Sequence, residues 1–185
     1  MNKETLNSET VFAIARTYMN TAPVDVFSLI KHCGIKLRFT PLPDELSGYI
    51  EALKGGGFAI GVNSFHPRSR QRFTAAHELG HYAYHLDLIG EGIDDTRAYR
   101  SEPGGKFFNR KIGAKQETEA NRFASNLLMP QALIKKLEKK GVRSIPDLAK
   151  RLDVSRQAMS IRMGSNLTLG LEEPEADELT GILQF

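Results

Sequence analysis

Five consecutive residues, His77-Glu78-Leu79-Gly80-His81, restrict this chain more than any other stretch. They form an H-E-x-x-H pattern inside a segment that reads as one long helix, opened by Pro67 and running to about His85. Helical residues advance by about 100° each, so positions four apart lie about 40° apart around the axis. His77 and His81 therefore present both imidazoles to one side. Two imidazole nitrogens on one face can take adjacent corners of a tetrahedral Zn²⁺ site. Glu78 sits on the flank of that face, close enough to hold a water at the metal without binding the ion itself. Gly80 leaves the neighbouring surface bare, so that a second backbone or a substrate can approach.

A catalytic zinc takes three protein ligands and keeps one position open. The candidate for the third lies in Gln116-Glu117-Thr118-Glu119-Ala120-Asn121, within a helix predicted over 116–128 and stopped near Pro130. Glu117 and Asn121 are one turn apart, so the carboxylate can bind metal while the amide braces a ligand imidazole. Glu119 lies about 200° round from Glu117, so only one of the two can face the ion. Phe123, Ala124, Leu127 and Leu128 mark the buried side of this helix, and Ala120 at its edge favours Glu117, with Glu119 the alternative third ligand. His85 continues the histidine stripe by one more turn. Three histidines on one helix cannot easily surround an ion, so His85 reads as a core residue or as support for a ligand.

Around these two helices the pattern is α+β, with helices flanking one small antiparallel sheet. Ser8 caps a first helix carrying Val11, Phe12, Ala15, Tyr18 and Met19 at 3.6-residue spacing, and Pro23 opens a second that Gly34 ends. Strands are predicted over 35–40, 47–52 and 57–63, the last two joined by Gly55-Gly56-Gly57. Strand 57–63 directly precedes the histidine helix and is expected to form a cleft edge that an extended peptide could extend by β-pairing. Residues 90–115 read as a loop with a short strand over 106–109. Helices over 131–140, 145–152 and 155–163 complete the chain, the last two separated by a tight Asp153-Val154 turn in helix-turn-helix outline.

Composition sets the compartment. The single cysteine, Cys33, excludes a disulfide scaffold and suits a reducing environment; it reads as a core residue. The first ten residues are polar and lack the apolar stretch of a secretory signal. No apolar run approaches the roughly 18 residues of a membrane span. A cytoplasmic, membrane-free protein is expected. Its net charge is +3, but all 25 bases and 17 of the 22 acids precede residue 168, so that body carries +8 and the tail only acids. Arg68, Arg70 and Arg72 crowd the start of the histidine helix, where the macrodipole disfavours cations, and salt bridges to acidic residues 91–95 are the expected compensation. Lys135, Lys136, Lys139, Lys140 and Arg143 read as a solvated face. Tyr49, Tyr82 and Tyr84 read as packing rather than as oxyanion donors.

The run Arg72-Phe73-Thr74-Ala75-Ala76-His77-Glu78-Leu79-Gly80-His81, then Glu117-x-x-Ala120-Asn121-x-Phe123-Ala124-x-x-Leu127-Leu128-Met129-Pro130, resembles the ImmA/IrrE family of zinc metallopeptidases. Leu148-Ala149-x-x-Leu152-x-Val154-Ser155-x-x-Ala158-Met159 is similar to the segment that follows in that family, and the likeness spans roughly residues 22–165. The resemblance implies a minimal zincin-like fold and a Zn²⁺ site of His77, His81 and Glu117, with Glu78 as the catalytic acid. It implies a protein substrate, a cognate helix-turn-helix repressor of the Xre type whose cleavage releases phage, mobile-element or stress-response genes. The expected organisation is a zincin-like metallopeptidase domain over 1–130, a helical helix-turn-helix-like subdomain over 131–165 and an acidic tail over 166–185. Two alternatives carry different consequences: a DNA-binding regulator reading sequence through 145–163, or a catalytically weak zincin-like protein that acts by binding a partner.

Overall fold

The computed structural model describes residues 5–89, 97–99 and 112–164. Within them the order is α1 (Ser8–Tyr18), α2 (Val26–His32), β1 (Lys36–Thr40), β2 (Gly48–Ala52), β3 (Phe58–Asn63), α3 (Arg68–Tyr84), a 3-10 turn (Leu86–Leu88), β4 (Arg97–Tyr99), α4 (Ala114–Leu128), α5 (Gln131–Lys139), α6 (Ile145–Leu152) and α7 (Arg156–Arg162). The expected acidic partners at 91–95, the strand over 106–109 and the acidic tail lie outside the described residues. No helix among the described residues is long and apolar enough to cross a membrane.

Short polar side chains set the helix starts. Asn7 rather than Ser8 caps α1, accepting from the Thr10 amide at 2.9 Å. Ser8 instead donates to the Ala83 carbonyl at 2.6 Å, fastening α1 to the end of α3. Pro23 likewise precedes α2 without opening it, and Asp25 is the cap. Gly34 follows α2 at φ 76°, the left-handed conformation that a helix end of this kind requires.

The fold is α+β as expected, but the sheet is mixed. Its order is β1-β3-β2-β4. β2 pairs antiparallel with both β3 and β4, whereas β1 runs parallel to β3, from Lys36 opposite Ala59 to Thr40 opposite Asn63. The expected antiparallel sheet is thus broken at β1, and Asn63 shows how. Its fully buried amide donates to the carbonyls of Leu42, Pro43 and Leu46 at 3.1, 3.1 and 2.9 Å. That grip carries the 41–46 connection past the end of β3 and delivers β2 to its far side. β3 is therefore hydrogen-bonded on both flanks, and the expected pairing of a peptide with this strand is ruled out, since its ladder is already filled.

α3 lies against the sheet so closely that a Cβ on Gly48 of β2 would overlap the Thr74 side chain and the Gly61 carbonyl. α4 crosses the other side of α3 at Gly80, where an added Cβ would stand 3.1 Å from the Ala120 Cα and 3.2 Å from its carbonyl oxygen. The bare surface foreseen at Gly80 is thus occupied by a second backbone. Buried apolar residues from α1 to α7, among them Val11, Leu29, Ile60, Leu79, Leu127, Ile134, Leu148 and Met159, form one continuous cluster.

Of the arginines at the start of α3, Arg70 donates to the Ser47 hydroxyl at 3.0 Å, while Arg68 and Arg72 find a partner in the α6–α7 turn. Arg68 Nε lies 2.8 Å from Asp153 Oδ2. Arg72, only 1% exposed, donates to the carbonyls of Asp153 (2.9 Å), Val24 (2.9 Å) and Leu152 (3.3 Å). Asp153 occupies the left-handed region at φ 54°, which turns its carbonyl toward Arg72. Lys135, Lys136, Lys139, Lys140 and Arg143 are exposed, as the solvated-face reading requires.

Cys33 is 4% exposed, and burial pushes its thiol up to about 11. Because the thiolate is the reactive form, an aromatic disulfide reagent at pH 8 is expected to leave Cys33 unmodified in the native protein and to titrate it fully after unfolding. Rapid labelling of the native protein would show that the thiol is accessible.

Candidate metal centre

α3 and α4 bring three candidate donors together. His77 and His81, one turn apart on α3, bring their Nε2 atoms to 2.9 Å of each other. Glu117 of α4 spans the pair, with Oε2 3.3 Å from His77 Nε2 and Oε1 3.3 Å from His81 Nε2. These are the three residues among the described ones whose donor atoms converge as a possible metal site. Ligands held about 2.0–2.1 Å from a tetrahedral zinc are separated by about 3.3 Å, the scale of these spacings. Glu119, the alternative, does not reach this triangle; its Oε2 lies 2.8 Å from Nε2 of His85.

The hydrogen bonds behind the imidazoles decide where their protons sit. Asn121 Oδ1 stands 2.9 Å from His77 Nδ1 and can only accept, so the Nδ1–H of His77 donates and its Nε2 keeps a lone pair. Asn121 and Glu117, one turn apart on α4, thus both meet His77. Burial works against charge on Glu117, but hydrogen bonds and positive potential from His77 and His81 outweigh it and hold the carboxyl well below the usual carboxylate range. A charged carboxylate facing two imidazole nitrogens suits a divalent cation, which would displace any proton those nitrogens carry toward Glu117.

Exposure is uneven across the centre. His77, His81 and Glu78 are 0%, 2% and 1% exposed. The Glu117 side chain is 35% exposed, so the triangle has one side that solvent reaches. That openness fits the free coordination position of a catalytic metal better than a closed structural site. Glu78 lies in the same helical turn as His77, as its position in the pattern requires. Tyr82 is committed elsewhere: its hydroxyl accepts from the Leu6 amide at 3.0 Å and its ring packs on Phe58. Tyr84 packs on Phe12 and Phe123.

Three features of the centre's surroundings escaped the sequence. The pairing of Glu119 with His85 was signalled by the third histidine, four residues after His81, but a helical wheel turns Glu119 away from α3. The wheel fails because His85 is the helix cap, with φ −130° and ψ 30°, and so lies outside the helical repeat. The Arg72–Asp153 contact and the grip of Asn63 join residues far apart in sequence and leave no periodic trace.

Comparison with known proteins agrees with this architecture. The chain is 33% identical over 130 residues to the radiation response metalloprotease IrrE of Deinococcus radiodurans, a match covering 66% of this chain and 34% of that protein. It therefore spans about a third of the length of that relative. A Mycobacterium tuberculosis transcriptional regulator has a similar fold, with a TM-score of 0.55 at 19% identity, covering 90% of this chain and 48% of the other. The profile of the M78 peptidases, described as the IrrE N-terminal-like domain, matches residues 30–163. That match takes in both helices of the donor triangle and most of the described fold, and places the chain in the M78 peptidase family.

Proposed function

We propose that this chain is a zinc-dependent endopeptidase whose substrate is a cognate helix-turn-helix repressor. The observation that carries the reading is the donor triangle of His77, His81 and Glu117 beside the buried carboxyl of Glu78. His77 and His81 bind the ion through Nε2 and Glu117 through a carboxylate oxygen. Bound there, zinc supplies Lewis acidity, polarising a peptide carbonyl and acidifying water toward neutral pH. The Glu78 carboxylate takes a proton from the attacking water and delivers it to the departing amide nitrogen. Asn121 keeps the His77 proton on Nδ1 throughout, so that its Nε2 stays available.

The repressor is the finer part of this proposal, supported by the family and by the chain's own architecture. Helices α6 and α7 have the outline of the proposed substrate's fold, and in this reading the 131–165 subdomain is a docking element on the 1–130 metallopeptidase domain. The DNA-binding alternative draws on the exposed Lys150, Arg151, Arg156 and Gln157 around the same two helices. Against it, the turn that joins them is tied to α3 through Arg72, and Arg162 of α7 donates to the Met129 carbonyl at 3.1 Å.

The test begins with metal content. Purified protein is expected to carry about one zinc per chain by elemental mass spectrometry, with His77→Ala and Glu117→Ala losing most of it and Glu119→Ala keeping it. Zinc-loaded protein incubated with candidate repressors should then yield fragments of defined mass, and a chelator should stop their formation. Absence of metal even after added zinc would overturn the proposal. Sequence-preferring DNA binding with a steep salt dependence would favour the regulator instead.

A further inference from the structure

Glu119 and His85 occupy neither the donor triangle nor the apolar core. Their partners form a chain that ends on a donor: Glu119 Oε2 lies 2.8 Å from His85 Nε2, and His85 Nδ1 lies 3.2 Å from His81 Nδ1. We propose that Glu119 and His85 are positioning residues for the metal centre, a two-member relay that holds the proton of His81 on Nδ1 and so keeps its Nε2 lone pair aimed at the metal. The proposal rests on the reading of His81 as a metal ligand.

The argument is one of proton placement. A carboxylate has no proton to give, so the 2.8 Å contact requires His85 to donate from Nε2. A metal held by His81 at Nε2 leaves the ring proton of His81 on Nδ1, so the 3.2 Å contact between the two Nδ1 atoms makes His85 the acceptor there. The 2.9 Å approach of the His77 and His81 Nε2 atoms, each 3.3 Å from a Glu117 oxygen, is then an approach of donors around a shared cation. Removing Glu119 removes the carboxylate that holds the His85 proton on Nε2. If that proton moves to Nδ1, His81 must accept there and carry its own proton on Nε2, the atom needed for metal. His77 reaches the same state by another route, a single acceptor at Asn121. The two imidazoles therefore have separate supports, both mounted on α4: Asn121 directly, and Glu119 through an interposed ring. The burial of His85, at 5% exposure, shields the middle of the relay from competing water, while the Glu119 side chain at its outer end is 41% exposed.

Zinc affinity, measured by competition with a chromophoric chelator, tests the relay without a substrate. Supports of this kind change metal affinity by about 10- to 100-fold. Glu119→Ala and His85→Phe are expected to weaken zinc binding by that factor while still binding one zinc at micromolar protein. Glu119→Gln retains an acceptor for His85 and is expected to recover much of the loss. Cobalt-substituted protein adds a second readout, since altered donation from His81 shifts the visible bands. A purely packing role predicts that His85→Phe, which keeps a ring of similar size, changes neither affinity nor spectrum. Affinities and cobalt spectra equal to the parent in both Glu119→Ala and His85→Phe would overturn the relay while leaving the triangle intact. Failure of the parent protein to bind zinc would overturn the metal site, and the relay with it. Should His85→Phe fail to fold, Glu119→Ala decides alone, its parent side chain being partly exposed.

Discussion

Glu78→Gln is expected to retain about one zinc per chain while cleaving the proposed repressor substrate about 10²- to 10⁴-fold more slowly. The substitution keeps the size of the side chain and removes only its capacity to accept a proton. None of the three donors of the triangle is altered, so stoichiometry and zinc affinity should match the parent. The measurement pairs elemental analysis with fragment formation followed by intact mass. Unchanged cleavage would show that the proton travels by another route and would remove Glu78 from the mechanism. Loss of both metal and activity would mean instead that Glu78 helps to hold the ion.

Arg72→Leu is expected to cost about 3–5 kcal/mol of folding free energy, the scale seen when one partner of a buried ionic group is removed. Three backbone carbonyls, of Val24, Leu152 and Asp153, lose their guanidinium donor and cannot themselves be replaced by anything apolar. Burial opposes the charge of Arg72, lowering its pKa, and the Asp153 carboxylate 3.4 Å away partly restores it. A chain of this length melts roughly 2–4 °C lower per kcal/mol lost, so the midpoint should fall on the order of 10 °C. Arg72→Lys restores the charge but not the forked donor geometry, and is expected to recover only part of the loss. A midpoint within 2 °C of the parent for Arg72→Leu would show that the contact adds nothing to stability.

Much of the candidate site was legible because it is written in helical period. His77 and His81, and Glu117 and Asn121, are each separated by four residues, and the angle between such positions holds in any regular helix. The choice of Glu117 over Glu119 was readable from the apolar stripe on α4, since that stripe must face the core. What Glu119 does was not readable, because the residue it meets stands at a helix end, where the period lapses. The strands were also visible by alternation and glycine punctuation, yet their spatial order was not. Local pattern says where a strand begins and ends; pairing is decided by contacts such as those of Asn63, whose meaning appears only once the chain has crossed over. The arginines at the start of α3 were recognised as needing an anion. Among the described residues, the anion that meets Arg68 and Arg72 lies about eighty residues later, in a turn whose left-handed residue is an aspartate rather than a glycine.

The close approach of α3 and α4 at Gly80 separates the assembly of this centre from the arrival of its ion. Small zinc-binding modules gather their ligands only as the metal enters, so that binding and folding are one event. Here the candidate donors ride on two helices that meet closely at Gly80 and Ala120, while Leu79, Ala124, Leu127 and Leu128 belong to the apolar core. A core that orders the donors by itself would let an ion exchange at the site without the scaffold being lost.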